Sequence, residues 1–386
     1  MTAKEILDLL PEGLFESLSA ETNVDFKVKK LSGKTVFVLL LYSLLSEQNV
    51  SLRVMEKIFN SYKFKTLADL DPHQGISFSS LSERITNIDS TYFKMIFNTC
   101  VELGSNALNK KKIAGYDVVK FDSTLVSLSS KLISIGFRSG GQQEKVKQLK
   151  FTVGYSNQPE IVKFFHEPTY NSENKALGEV IKEFKAKEDA IIVVDAGLQS
   201  RDAYDAIDAQ EKMFITPIKT SFRHTLIKEN EIREKQKDGV QIEYDRIVTL
   251  FNRKQKSSHE YRVVKCHIEE KEADFVFLTN EKTLSAFEIA LIYKQRWDIE
   301  VFFKNMKQHL NFKHIINRSI NGIEVILYTK MALAILISLY KEKNKIKGFK
   351  EAKICFKLEL EEALIKEIIK ISGGNPDTFN PKTHFF

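Results

Sequence analysis

The 386-residue chain has few of the cysteines that are typical of a disulfide-bonded secreted protein or of a zinc-binding protein. It holds three cysteines, Cys100, Cys266 and Cys355, with no CxxC pair and no metal-ligand spacing. Such scattered cysteines argue against a disulfide framework or a zinc site, and they are typical of a reducing cytosol. The opening segment, MTAKEILDLLPEGLF, mixes acidic with apolar residues, so no signal peptide is predicted.

The sequence also lacks an apolar run of membrane-spanning length. The longest runs, at 36–46 and 331–340, are about half as long as the ~20 residues that a bilayer span requires. Several catalytic signatures are absent as well, namely GxSxG, GxxxxGK[ST], HExxH and GxGxxG. We interpret the apolar runs as buried helices and expect a cytoplasmic protein with no membrane partner.

Positive charge is modest overall but concentrated in two segments. The net charge is +7 and the sequence pI is about 8.9. Residues 301–350 hold ten Lys and Arg against two Glu, and residues 101–150, mainly around 131–150, hold nine against four acidic residues. Clustered cations indicate a polyanionic partner, most simply nucleic acid. A lysine-rich solvated surface is the alternative that composition leaves open.

The order of periodic segments predicts an α/β protein with helical ends. Residues 1–110 have apolar residues at intervals of three and four, which is typical of helices. Within them, SFSSLSERI at 77–85 fits either a helix that presents Ser and Arg to DNA or a plain N-capped helix. From Gly115 onward, β-rich and amphipathic runs alternate, which predicts a mixed sheet flanked by helices. Residues 219–281 add three antiparallel strands, and helical patterns follow.

One predicted helix, YKQRWDIEVFFKNMKQ at 293–308, carries a narrow polar stripe. The stripe consists of Tyr293, Arg296, Glu300 and Lys307. At about 100° per residue these positions fall within about 60° of one another. The adjoining apolar arc consists of Ile299, Phe302, Phe303 and Met306. A capping box at 285–288 is predicted to start the helix. The simplest interpretation of the stripe is an i,i+4 ion pair between Arg296 and Glu300.

Two aspartates end apolar strands in the predicted core. Asp122 closes VVKFD and Asp195 closes IIVVD, and small or turn residues follow each. Sites of α/β sheets lie at such strand ends, although an acid there can also merely cap a turn. If Glu300 faces the same edge, three carboxylates converge, and they require a cation or a proton between them. The group therefore predicts a Mg²⁺ site suited to two-metal phosphoryl transfer.

The polar stripe then has a DNA-binding interpretation. Arg296 and Lys307 are expected to hold DNA phosphates through charge-assisted contacts, and Tyr293 would add a hydroxyl contact. Trp297, the only Trp in the chain, can stack on an unpaired base. Ordinary core packing is the alternative for Trp297. Lys304 begins the basic excess and is grouped with these DNA contacts.

With these residues in place, the sequence resembles the bacterial insertion-sequence transposases of the DDE superfamily. Within them it is most similar to the IS-four group, defined by the motif Y-x2-R-x3-E-x6-K. The motif is reproduced in full by Tyr293, Arg296, Glu300 and Lys307. FDST around Asp122 and VVDAG around Asp195 resemble the two earlier motif regions. The second is looser, because aromatic or basic residues often follow that Asp in the family. The resemblance covers residues 80–345.

The resemblance implies an RNase H-like catalytic core with a β-rich insertion, plus helical N-terminal and C-terminal regions. The spacing fits, since Asp195 follows Asp122 by 73 positions and Glu300 follows Asp195 by 105, enough to contain the insertion. The implied catalytic residues, which are also the implied ligands of two Mg²⁺ ions with Mn²⁺ as a substitute, are Asp122, Asp195 and Glu300. The implied DNA-binding residues are Tyr293, Arg296, Trp297 and Lys307, and Lys304 is added to them because the basic excess begins there.

The resemblance also implies cut-and-paste DNA transposition by a DDE transposase. This means metal-dependent cleavage at terminal inverted repeats, hairpin ends with a flipped base, and strand transfer into target DNA. The partners would be double-stranded DNA and a second copy of the chain in a synaptic complex. The location would be the bacterial cytoplasm, at the nucleoid when DNA is bound. Two alternatives stay open: an RNase H-like nuclease without strand transfer, and a domesticated or inactive DNA-binding protein.

Five segments are expected along the chain. They are a helical DNA-binding region at 1–110, the first part of the core at 111–218, the β-rich insertion at 219–281, the second part of the core with the catalytic helix at 282–345, and a helical C-terminal region with a tail at 346–386. The N-terminal region, with the basic stretch at 313–350, is expected to bind the terminal inverted repeats.

Overall fold

The chain forms two compact units. A computed structural model describes residues 1–108, 112–128, 136–137, 147–232, 234–251 and 256–378. One unit comprises Met1–Leu108 with Lys304–Phe386, and the other comprises Asn109–Phe303. Most of the basic segment at 131–150 lies outside the described residues, as does the end of the C-terminal tail.

The first unit begins with helices, as predicted. They are α1 (Ala3–Leu7), α2 (Leu14–Thr22), α3 (Gly33–Ser46), α4 (Leu52–Phe59), α5 (Tyr62–Leu67), α6 (Phe78–Asn87) and α7 (Ser90–Ala107). A Ser or Asp side chain caps the start of each helix from α3 to α7. These caps satisfy backbone N–H groups that have no partner within the helix, which explains where the helices begin.

The segment at 77–85 forms the capped start of α6. The Ser77 hydroxyl accepts a hydrogen bond from the Ser80 N–H at 3.2 Å. Arg84 donates to the carbonyl oxygens of Leu31 and Val24, both at 2.8 Å. Because these contacts hold the guanidinium inside the unit, they favour the N-capped-helix interpretation over a DNA contact.

The second unit is built around one sheet. Its described strands are β1 (Asp117–Ser127), β2 (Gln148–Tyr155), β3 (Pro159–Phe165), β4 (Ala190–Val194), β5 (Met213–Pro217), β6 (His224–Glu229), β7 (Gln236–Lys237), β8 (Val240–Phe251), β9 (Lys256–Ile268) and β10 (Ala273–Thr279). Its helices are α8 (Glu173–Glu183), α9 (Arg201–Asp208), α10 (Ala286–Lys294) and the first half of α11 (Trp297–His309).

The strand order gives this unit an RNase H-like core. The order is β3-β2-β1-β4-β5-β10-β9-β8-β6, with β7 paired to β8. β1, β2 and β3 are antiparallel, and β4 and β5 add in parallel on the other side of β1. Alternate residues of β1 face opposite layers: Val119 packs with α8 and α9, and Val118 packs with α10. The predicted mixed sheet with helices on its faces is confirmed.

The β-rich insertion extends the same sheet. β8, β9 and β10 are the three antiparallel strands predicted within 219–281, and β10 pairs with the core strand β5. The structure adds β6 and β7, which the sequence pattern does not predict. Most of their residues are exposed and polar, so no alternation of apolar and polar residues marks them as strands.

The chain ends in two helices of the first unit, α12 (Ile320–Lys343) and α13 (Phe349–Ile371). Among the helices that the structure describes, only α12 is long and apolar enough to cross a membrane, yet 89% of its most apolar stretch is buried inside the protein. α12 packs against α1, α3, α6, α7 and α13. It is therefore the central helix of its unit, in agreement with the prediction of a buried helix.

Candidate active site

Asp122 and Asp195 lie on neighbouring strand lines of the sheet. β1 and β4 pair in parallel, and the last paired residues are Phe121 and Val194. Asp122 and Asp195 are the residues that follow this last pair in the two segments. Phe121 and Val194 belong to the core beneath α8. Because side chains alternate along a strand, Asp122 lies toward the face that α10 covers, and Asp195 follows the last residue of β4 beside it. The structure thus brings these two predicted residues together.

The prediction that β1 ends at Asp122 is wrong. The strand continues to Ser127, with Asp122 opposite Val153 of β2 in an antiparallel pair. Only the parallel pairing with β4 ends at this point. The residues that resemble a turn are strand residues, and the Ser123 hydroxyl bonds to the Thr152 hydroxyl across the pair at 2.8 Å.

Asp195 begins a tight turn after β4. Its Oδ1 accepts the N–H of Gly197 at 2.8 Å, and its backbone carbonyl accepts the Thr216 hydroxyl at 3.1 Å. A Cβ at Gly197 would lie 2.7 Å from the Asp195 Oδ1. The glycine in VVDAG is therefore required by the closeness of the carboxylate to the backbone.

Burial and neighbouring charge make Asp122 hard to ionise. Burial, and then the charge of Asp195, raise the pKa of Asp122 to about 7. The charge of Glu173 acts in the same direction, whereas the Ser123 N–H, 2.7 Å from Oδ1, and the Arg296 guanidinium favour the ionised form. A carboxylate in this position is stabilised by a cation.

The predicted catalytic helix is two helices joined by a tight turn. The predicted capping box of Ser285 and Glu288 starts α10 and is confirmed. α10 ends at Lys294 and α11 begins at Trp297. The intervening turn is held by the Arg296 N–H, which donates to the carbonyl three residues earlier at 2.9 Å. The expected single regular helix is therefore wrong, because one turn winds more tightly than an α-helix.

The polar residues of the stripe do not form one continuous polar surface, because they contact different parts of the protein. Arg296 and Glu300 form the i,i+4 ion pair that the sequence left as the simplest interpretation. Tyr293 is half-buried and packs its ring against Phe275 and Phe277 of β10, at centroid distances of 5.7 and 4.6 Å. Burial raises the pKa of the Tyr293 hydroxyl.

The three predicted metal ligands are not gathered into one cluster. Across the part of the chain that the structure describes, no three His, Cys, Asp or Glu side chains are close enough to hold one metal ion. Asp122 and Asp195 are electrostatically coupled, while Glu300 is held by Arg296. The donor set still suits a hard divalent cation, because carboxylate oxygens are its preferred ligands and its charge offsets their repulsion.

The apolar arc of α11 packs this helix onto the sheet, as predicted. Ile299, Phe302 and Phe303 are buried. The Phe302 ring stacks on Tyr155 of β2 at 4.8 Å, and the Phe303 ring meets Phe151 edge-on at 6.3 Å. These contacts place the first turns of α11 on the same face of the sheet as Asp122.

A buried lysine, which the sequence reasoning missed, also connects the sheet to α11. Lys120 is almost fully buried, and its ammonium lies 3.1 Å from the Asp298 carboxylate. Lys120 stands two residues before Asp122, and Asp298 stands two residues before Glu300. The ion pair therefore links β1 and α11, the segments that carry Asp122 and Glu300. The sequence does contain a signal for this buried lysine, because Lys120 is the single charged residue of the apolar run VVKF.

The remaining predicted DNA contacts are exposed. Trp297 is 53% exposed, which excludes ordinary core packing, and the Lys271 ammonium lies 4.6 Å from its ring centroid. Lys304 and Lys307 are exposed residues of the first unit. Lys271, at the turn between β9 and β10, had no signal in the sequence, because nothing local indicates that it meets Trp297.

The same span of sequence matches a known family. Residues 113–337, more than half of the chain, match the family model described as Transposase DDE domain. The chain belongs to the DDE transposase family. The match includes Asp122, Asp195 and Glu300 together with the whole Tyr-Arg-Glu-Lys motif.

Two relatives and one solved structure are similar to this DDE transposase chain. The y4zB protein of Sinorhizobium fredii, named as a transposase, is 23% identical over 205 residues, which are 52% of this chain and 56% of that protein. The protein named as a transposase for insertion sequence element IS4SA of Synechocystis is 26% identical over 269 residues, 68% of this chain and 72% of that protein. The cryo-EM structure of the piggyBac transposase synaptic complex with hairpin DNA aligns with 99% of this chain and 83% of that chain, at 9% identity and a TM-score of 0.48.

The family match and the two relatives confirm the prediction of a DDE transposase of the IS-four type. The family implies dependence on a divalent metal. The match spans little more than half the length of y4zB.

Proposed function

We propose that this chain cuts DNA at the terminal inverted repeats of an insertion sequence and joins the freed ends to target DNA. The observation that carries the proposal is the coupled pair Asp122 and Asp195, beside the Arg296–Glu300 pair, within a matched DDE domain. The mode is cut-and-paste, with hairpin ends. The partners are double-stranded DNA and a second copy of the chain, in the bacterial cytoplasm and at the nucleoid when DNA is bound.

Asp122, Asp195 and Glu300 are proposed as the ligands of Mg²⁺, with Mn²⁺ as a substitute. Asp122 and Asp195 would hold the cation from adjacent strands, and Glu300 would be the third ligand once its ion pair with Arg296 is broken. A divalent cation held there would supply the activation of a water or a 3′-hydroxyl and the stabilisation of the leaving oxygen in an in-line displacement. Once released from Glu300, the Arg296 guanidinium is free to bind a DNA phosphate through two parallel hydrogen bonds.

The DNA contacts combine charge with one stacking surface. Lys304 and Lys307 are proposed to bind phosphates, and Tyr293 to add a hydroxyl contact to the transposon end. Trp297 offers an exposed indole face on which an unpaired base stacks. The helical region at 1–110 is proposed to bind the terminal inverted repeats.

The proposal is tested with three Asp→Asn variants on two strands. Asp122→Asn and Asp195→Asn remove a charge from the proposed metal site and keep the side-chain shape. Asp189→Asn is the matched control, because Asp189 stands at the opposite end of β4 and forms a surface ion pair with Lys112 at 2.6 Å. Surface pairs of this kind contribute at most about 1 kcal/mol to stability.

We expect Asp122→Asn and Asp195→Asn to abolish Mg²⁺-dependent cleavage of the inverted-repeat ends that flank the gene, while end binding in a gel-shift assay is kept. Asp189→Asn should cleave at the parental rate. Cleavage by Asp122→Asn at the parental rate contradicts the proposal. If the cleaved ends are joined to a target plasmid, the protein is a transposase and not a nuclease that only cuts. If the parental protein binds the ends but does not cut them, it is an inactive DNA-binding protein.

A further inference from the structure

A second buried lysine, on β2, has no role in the chemistry described above. The Lys150 side chain is 4% exposed, and its ammonium donates to the Asn171 carbonyl at 2.7 Å and to Glu173 Oε2 at 2.8 Å. Because Val153 is the partner of Asp122, strand alternation places Lys150 on the opposite face, beneath α8. A charge so far from water depends on its partners.

Glu173 connects Lys150 to the turn that carries Asp195. Glu173 is the first residue of α8, and a Cβ at Gly197 would lie 2.7 Å from its Cγ. The Gly197 N–H in turn donates to Asp195 Oδ1 at 2.8 Å. The next residue of α8, Asn174, accepts the Gln199 N–H at 2.6 Å. The N-terminus of α8 therefore holds this turn through the stem of Glu173 and the amide of Asn174.

The Glu173 carboxylate stays in this position because of Lys150. Its side chain is 32% exposed, so water is within reach of a different rotamer. Its Oε1 is nevertheless buried, with no hydrogen-bond partner in the described part of the chain. A buried oxygen without a partner costs free energy, and the Lys150 ammonium on the other oxygen supplies the offsetting attraction.

We propose that Lys150 and Glu173 are a positioning pair for the active site. The buried ammonium holds Glu173 against Gly197, and this contact fixes the turn that directs the Asp195 carboxylate toward Asp122. Lys150 acts through Glu173. Glu173 acts through the turn of Asp195, in addition to the effect of its charge on the pKa of Asp122. The inference rests on the proposed function, in which Asp122 and Asp195 hold the divalent cation.

The test compares Glu173→Gln with Glu183→Gln. Glu183 is the last residue of α8 and pairs with Lys163 on β3, so the control removes a more exposed Lys–Glu ion pair from the other end of the same helix. Hydrogen exchange of the Gly197 and Gln199 amides, in the absence of metal and DNA, reports whether the turn is held.

The second measurement is Mn²⁺ affinity, read by electron paramagnetic resonance on the DNA-free chain. We expect Glu173→Gln to speed exchange at Gly197 and Gln199 and to weaken Mn²⁺ binding about 10-fold, as loss of an outer-shell partner commonly does. Glu183→Gln should match the parent in both measurements. Parental exchange and parental Mn²⁺ affinity in Glu173→Gln would overturn the proposal.

A double variant covers the case in which Glu173→Gln does not fold. Lys150→Met with Glu173→Met replaces the pair by apolar side chains, a change that often leaves stability equal or higher. The folded double variant should show the same fast exchange at Gly197, and slow exchange there overturns the proposal. The exchange result needs no DNA. If Asp122→Asn and Asp195→Asn cleave normally, the proposed function fails, and exchange still decides whether the pair holds the turn.

Discussion

Asp122 holds its proton more tightly in the folded chain than in the unfolded one. Burial, followed by the charge of Asp195, raises its pKa to about 7, against about 3.9 for an unperturbed Asp. The native state therefore binds more protons between these values. The stability that Asp122 contributes is fully present below about pH 4 and is lost as the pH rises through about 7.

We expect the free energy of unfolding of the metal-free parent, measured by urea titration, to fall relative to Asp122→Asn between pH 4 and pH 8. The relative fall should be up to about 4 kcal/mol, because one pKa unit corresponds to about 1.4 kcal/mol. Addition of Mg²⁺ at pH 8 should restore part of the lost free energy of unfolding in the parent and have no such effect on Asp122→Asn. Parallel pH profiles of the two proteins would show that Asp122 is not perturbed by its surroundings.

Trp297 is exposed enough to meet DNA, and a lysine contacts its ring. Its side chain is half-exposed, and the Lys271 ammonium lies over the ring at 4.6 Å. Since cations are attracted to aromatic faces, Lys271 orients the indole and leaves the other face for a base. Trp297 is the only Trp in the chain, so its fluorescence reports on this site alone.

We expect transposon-end DNA with unpaired terminal bases to quench the Trp297 fluorescence, and Trp297→Ala to weaken binding of that DNA by about 1–3 kcal/mol, the range for base–aromatic stacking. Trp297→Phe should retain most of the affinity. Leu291→Ala is the control, because Leu291 is a comparably exposed apolar residue on α10. Unchanged fluorescence on saturation with DNA would exclude stacking on this residue.

At the scale of elements, β1 and α11 carry two of the predicted ligands and are joined by an ion pair. Lys120 is buried in β1, and its partner Asp298 lies in the first turn of α11. The aromatic arc of α11 fixes the distance of this helix from the sheet, whereas the charged contact restricts sliding along it. Small displacements of catalytic groups have large effects on rate.

We expect Asp298→Asn to slow end cleavage by about 10- to 100-fold, because a shift of about 1 Å in Glu300 is enough for that loss. The folded fraction is measured by urea unfolding, so that the rate refers to folded protein. Glu243→Gln, which removes the exposed partner of Lys265 on β8 and β9, should keep the parental rate. A parental rate in Asp298→Asn would mean that packing alone positions α11.

At the scale of the whole molecule, one of the two units contains all three predicted ligands. Asp122, Asp195 and Glu300 lie in Asn109–Phe303, whereas α12 forms the centre of the other unit. A ligand stabilises only the structure that binds it. Binding of a divalent metal should therefore stabilise the unit that contains the three ligands and leave the stability of the other unit unchanged.

We expect Mg²⁺ at ten times its dissociation constant to stabilise the ligand-bearing unit by about 1.4 kcal/mol, and so to slow exchange about tenfold in the most protected amides of β1 and β4. Amides of α3 and α12 should be unaffected. The measurement is hydrogen exchange followed by mass spectrometry of the full chain, with Asp122→Asn as the control that abolishes the effect. Equal slowing in α12 would contradict a metal site confined to one unit.

Much of the fold was predictable because local patterns agree with the tertiary context. Apolar runs predict β2, β3, β4 and β5 at their observed places, and the Ser285 capping box marks the start of α10. β6 was not predictable, because an exposed edge strand with charged residues has no apolar alternation. The extent of β1 beyond Asp122 depends on pairing with β2, which no local pattern encodes.

The sequence by itself determined the residue types and spacing of the site: two strand aspartates, and a Tyr-Arg-Glu-Lys motif on a helical segment whose aromatic residues pack onto the sheet. The spacing alone sufficed for the family, because the motif is local. Only the tertiary structure decided how these groups meet. The register of β1 with β4 makes Asp122 and Asp195 neighbours, the tight turn at Arg296 pairs it with Glu300, and buried Lys120 and Lys150 connect α11 and α8 to the sheet. Such contacts join residues far apart in the chain, so they follow from packing and not from local sequence.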